Sequence, residues 1–105
     1  VPNIGWLATQ IKEREDRTKW FVGVSHVPPY DRTDFDPNLE MPYKNLFAST
    51  PNFILSLHGH LHSLGDVNIY EDHVRYMTVT SVKKRSFLLL KLINGEVYSE
   101  LINLD

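Results

Sequence analysis

Three of the chain's five histidines fall at positions 58, 60 and 62, inside the stretch "FILSLHGHLHSLGD" that covers residues 53–66. An apolar strand gains nothing by running into a row of imidazoles, because ring nitrogens taken out of water need partners. Something other than packing should hold them there. There is no cysteine, so thiolate zinc sites, thiol nucleophiles and disulfides are excluded, and any metal must be held by imidazole and oxygen. In an extended segment, residues two apart project to the same side with α-carbons roughly 6.5 to 7 Å apart. His60 and His62 would then share a face. They would be too splayed to chelate one ion easily, but well placed to give one ligand to each of two ions about 3.5 to 4 Å apart. Gly59 is expected to let the backbone turn sharply there.

The elements that must position these residues can be read from the pattern around them. Asn3 can cap a helix whose stripe is Ile4, Leu7, Ala8 and Ile11, and the charged run at residues 12–17 is its wet end. Residues 19–24, "KWFVGV", are aromatic and β-branched and predict a buried strand that delivers Ser25 and His26 at its carboxyl end. A loop rich in turn formers follows, then a short helix over about residues 39–49, then a second apolar strand over 53–57. Strand, crossover with helix, strand is a parallel βαβ unit, and both strands release their following loops at one edge of the sheet. His26 and the His60/His62 pair should therefore converge where ligands of open α/β sheets bind, making His26 a third ligand.

Beyond Gly65 the pattern turns antiparallel. Residues 66–70 and 74–80 are joined by a polar turn containing His73, and "SFLLLKLI" and "EVYSELIN" flank Asn94-Gly95, a strong hairpin signal. The end of the chain reads as a meander. His58 reads as a partly buried, hydrogen-bonded residue, with an outer-shell role beside a metal as the alternative. Tyr30 and Asp31 can border a substrate but read more simply as loop residues.

With 105 residues, 42% hydrophobic, and a net charge of −2, the composition is that of one ordinary globular α/β domain. No apolar run long enough to span a bilayer is present, and no leader segment is visible. The opening Val1-Pro2-Asn3, without an initiator methionine, reads as a piece cut from something longer, which leaves the compartment undecided. The cationic cluster Lys83-Lys84-Arg85 reads as a solvated turn, and no nucleic-acid signature is present.

A strand ending in His26-x-Pro28-Pro29, followed by a strand ending in Gly59-His60-x-His62, resembles the last two motifs of the calcineurin-like metallophosphoesterases. The helix around Trp6-Leu7 ahead of "KWFVGVSHVPPY" is also similar to that family. The likeness spans residues 1–105 and corresponds to the carboxyl-terminal half of the family's domain. It implies half of a four-layer α-β-β-α sandwich, with a mixed sheet and carboxyl-terminal antiparallel hairpins. It also implies two divalent metal ions (Mn, Fe, Zn or Ni), with His26 and His60 on the second and His62 on the first. The family's D-x-H, G-D-x-x-D and G-N-H-D/E motifs do not occur in these residues. The bridging aspartate, the asparagine ligand and the acid histidine are therefore missing. The implied activity is phosphoester hydrolysis by the complete domain, with the fragment alone inactive and no catalytic acid of its own. The partner expected is the missing amino-terminal half, or a second copy, over the apolar face formed by "WFVGV", "FILSL" and "FLLLKLI". A non-catalytic metal-binding or interaction module that keeps a relic histidine cluster is the reading from a different class.

Overall fold

A computed structural model of the chain describes residues 3–31, 33–60, 65–79 and 86–103. Helix α1 (Ile4–Arg14) begins where Asn3 Oδ1 accepts a hydrogen bond from the Trp6 amide, satisfying one of the otherwise unpaired first-turn donors. Ile11 on the predicted stripe is buried, Ile4 and Leu7 are half-buried against the core, and Trp6 points out. The charged run continues as a single 3₁₀ turn, Glu15–Arg17. Strand β1 is Phe21–Ser25, two residues later in starting than the aromatic run predicts. Helix α2 (Pro37–Ala48) starts earlier than expected, because Asp36 caps it by accepting from the Asn38 amide and Pro37 takes the first helical position, where its missing N–H costs nothing.

Strand β2 (Phe53–His58) is buried along nearly its whole length, as a central strand covered on both faces must be. With β3 (Gly65–Val67) and β4 (Arg75–Thr78) it forms a four-stranded sheet in the order β1-β2-β4-β3. The first three of these strands in that order are parallel and β3 is antiparallel, so the fold is mixed α/β. Both helices lie on one face, where Ile11, Phe35, Tyr43, Phe47, Phe53 and Tyr76 are buried together. Gly23 lies under this layer, and a Cβ there would come within 2.9 Å of the Phe53 ring.

Strands β5 (Ser86–Ile93) and β6 (Glu96–Asn103) form a separate antiparallel pair. Asn94 and Gly95, with φ of 52° and 80°, supply the two positive-φ positions of the turn. The expected meander is not what forms. The hairpin does not extend the sheet, and its Leu88, Leu90 and Val97 pack across the face opposite the helices, against Ile54, Leu55 and Met77. Strand β5 is therefore part of the cover of that face, through Leu88 and Leu90, and not part of the face itself. The cover stops short of β1, where Val22 is 37% and Val24 78% exposed.

Candidate metal centre

The parallel pairing of β1 and β2 sets Ser25 beside His58, and β4 adds Thr78 in the same row, so three strands end together. The loops leaving β1 and β2 are tied at once, because the Gly59 amide donates to the His26 carbonyl at 3.0 Å. His26 and His60 then meet as predicted. His26 Nε2 and His60 Nδ1 are 3.2 Å apart, with the rings edge to face. The opposite nitrogen of the same ring, His60 Nε2, lies 2.7 Å from Asp34 Oδ2 and 3.6 Å from Asp31 Oδ2. His26 is exposed and His60 half-buried, so the cluster faces solvent.

This arrangement fits a metal ion. Two nitrogens each about 2.0 to 2.1 Å from one tetrahedral ion lie about 3.3 Å apart, the separation the two rings already have. Asp31, Asp34 and His60 also form a group whose ligand atoms lie within 4.8 Å of one another, with the carboxylates on the Nε2 side of the His60 ring and His26 on its Nδ1 side. His62 and the residues that join it to β3 lie outside the described residues.

The acids were only half legible from sequence: Asp31 reads as an ordinary loop residue, and Asp34 carries no motif. The available signal is a pair of acids three residues apart directly after the His26-x-Pro-Pro turn. Folding makes them part of the cluster. Pro28 and Pro29 are fully buried and Phe35 is anchored in the helix-side core. Between them Asp31 Oδ1 accepts from the amides of Thr33 and Asp34, and the Asp31 carbonyl accepts from the Phe35 amide. This small Asx-type turn leaves Asp31 Oδ2 and the Asp34 carboxylate facing His60. Tyr30 turns inward, edge-on to His58 and Tyr76, and its hydroxyl pKa is raised by burial and opposed by a hydrogen bond to Thr78.

Backbone geometry departs from expectation at one point. Gly59 does not adopt positive φ, and a Cβ there would make only ordinary contacts, the nearest with His26 Nδ1 at 3.8 Å. It is His60 that sits in the left-handed region, at φ 65°. The chain has thus left the extended conformation at His60, and with it the premise that His60 and His62 alternate along a strand. A non-glycine residue in that region is uncommon and costs conformational energy.

His58 belongs to the interior. It is 2% exposed, its Nδ1 is 2.9 Å from Ser25 Oγ, its Nε2 is 2.8 Å from Ser56 Oγ, and its ring stacks on Tyr76. A neutral imidazole has one N–H and one lone pair, and each finds a hydroxyl here. Burial pushes its pKa from 6.5 down to about 4. His73 lies in the polar turn before β4, where its Nε2 meets the Thr50 carbonyl at 3.0 Å.

Between the strand ends and the hairpin a cavity of about 510 Å³ opens beside His26, lined by Val24, Leu57, Val79, Leu88 and Leu90. No helix among the described residues is long and apolar enough to cross a membrane. No family model matches this sequence, and no curated protein matches it.

Proposed function

We propose that this chain forms the carboxyl-terminal half of a calcineurin-like metallophosphoesterase domain, and that the complete domain hydrolyses phosphoesters with two divalent metal ions. The observation that carries this reading is the 3.2 Å approach of His26 Nε2 to His60 Nδ1 at one sheet edge, the bite of a single ion held by two imidazoles. In this reading His26 and His60 hold one ion and His62 the other, while the remaining ligands and the acid come from the half that carries the absent motifs. The bare valines on β1 support the same reading, since a second sheet in an α-β-β-α sandwich would cover that face.

When bound, the ions supply a nucleophile at neutral pH and offset charge that develops on the phosphoryl oxygens. The residues of this chain present and orient ligands. The Gly59 amide bond to the His26 carbonyl fixes the two loops relative to each other, and the Asp31 turn fixes the acids beside His60. None of the histidines in the cluster is the leaving-group acid in this reading, so the 105-residue chain alone is inactive.

Calorimetric titration of Zn²⁺ into wild type, His26→Ala and His60→Ala tests the site. Each substitution should weaken binding at least tenfold, about 1.4 kcal/mol. Superimposable isotherms would remove the metal reading. Turnover of p-nitrophenyl phosphate by the chain alone, lost in His60→Ala, would overturn its status as half a site. A complete domain that binds zinc through both histidines yet hydrolyses nothing would leave a non-catalytic metal-binding module.

A further inference from the structure

His60 has two ring nitrogens, and the structure gives each a different neighbour. Nε2 faces Asp34 Oδ2 at 2.7 Å, a separation that leaves no room for an ion between them, since a nitrogen and an oxygen sharing one ion lie more than about 3 Å apart. An ionised carboxylate can only accept, so Nε2 must carry the proton. The lone pair of the neutral ring is then on Nδ1, which points at His26.

We propose that Asp34 is a positioning residue: by accepting from the His60 Nε2–H it holds the ring in the tautomer whose Nδ1 can ligate a metal jointly with His26 Nε2. The proposal rests on the reading of His26 and His60 as a metal pair. In the metal-free chain the His26 Nε2–H donates to His60 Nδ1. To ligate an ion jointly with His60 Nδ1, His26 would carry its proton at Nδ1 instead of Nε2, and the Asp34 contact to His60 Nε2 would be kept. Carboxylates in this relation to a ligating imidazole orient the ring and raise its basicity. Asp31, at 3.6 Å from the same nitrogen, is beyond hydrogen-bond reach and instead shapes the turn that carries Asp34.

Long-range ¹H–¹⁵N correlation spectra of the ring nitrogens at about pH 8, where a free imidazole is neutral, test this with and without Zn²⁺. Wild-type His60 should show the Nε2–H tautomer. Asp34→Ala should mix the two tautomers and raise the zinc dissociation constant by about 10- to 100-fold. Asp34→Asn keeps an acceptor oxygen without the charge and should fall between. The backbone amide fingerprint away from residues 30–36 should be unchanged in both variants. A wild-type His60 protonated at Nδ1, or an Asp34→Ala variant with unchanged tautomer, overturns the proposal. Weakened zinc binding without a tautomer change would make Asp34 a direct ligand instead. If zinc leaves the ring signals of His26 and His60 unmoved in wild type, the metal pair itself fails, and the metal-free spectra still report separately whether Asp34 sets the tautomer.

Discussion

His58 and His60 stand two residues apart at the end of one strand, and the fold treats them in opposite ways. His58 is the last residue of β2, sealed under Tyr30 and Tyr76, with both nitrogens answered by serine hydroxyls and its pKa pushed down to about 4. His60 is past the strand, half-buried, held at φ 65°, with its two nitrogens turned toward another histidine and a carboxylate. Serine hydroxyls can donate or accept, so it is burial that keeps the His58 ring neutral, whereas His60 belongs to a cluster that faces solvent. A run of histidines is therefore not one feature. Its members are sorted by whether the hydrogen-bonded ladder still fixes the backbone at that residue.

The largest effect that separates the two is on stability. His58→Ala should lower the unfolding free energy by about 3 to 4 kcal/mol, because it empties a packed position, takes one hydrogen bond from Ser25 and leaves the buried Ser56 hydroxyl without its His58 partner. Urea denaturation measures this, and a loss under about 1 kcal/mol would show that the interior closes over the gap.

A slightly smaller effect is expected from pH. The unfolded chain takes up a proton near pH 6.5, whereas the buried ring resists it until about 4. Native stability should therefore fall as pH drops from 6.5 toward 4, level off below, and show no slope from this group above 6.5. The full loss is about 3 kcal/mol. The difference between wild type and His58→Gln across a pH series isolates this contribution, and parallel curves would break the contrast.

The smallest effect is at His60. His60→Gly removes a side chain from a left-handed position and a partly exposed hydrogen bond to Asp34 of little worth, so stability should rise slightly, by up to about 1 kcal/mol, while zinc binding is weakened. A marked destabilisation would place His60 with His58 as a structural residue.

Much of the local structure was legible because it is decided by neighbours in sequence. Asn3 caps α1, Asn94-Gly95 turns the final hairpin, and apolar runs make β1 and β2. The meeting of His26 with His60 was also legible, since two parallel strands joined by a crossover must end at one edge. The hairpin's place as a layer over the sheet was not, because "SFLLLKLI" suits an added strand as well as a covering one, and only the apolar face around Leu55 and Met77 selects between them.

The sequence by itself determined the helices, the strands, the final turn and the convergence of two histidines, because each follows from short-range propensity or from the geometry of a parallel crossover. Tertiary structure decided the rest of the site. Asp34 is 26 residues from His60 and meets it only because buried Pro28, Pro29 and Phe35 pin the intervening loop over the strand ends. The left-handed backbone at His60 is likewise a tertiary matter, since a non-glycine residue keeps positive φ only where surrounding contacts outweigh its own preference.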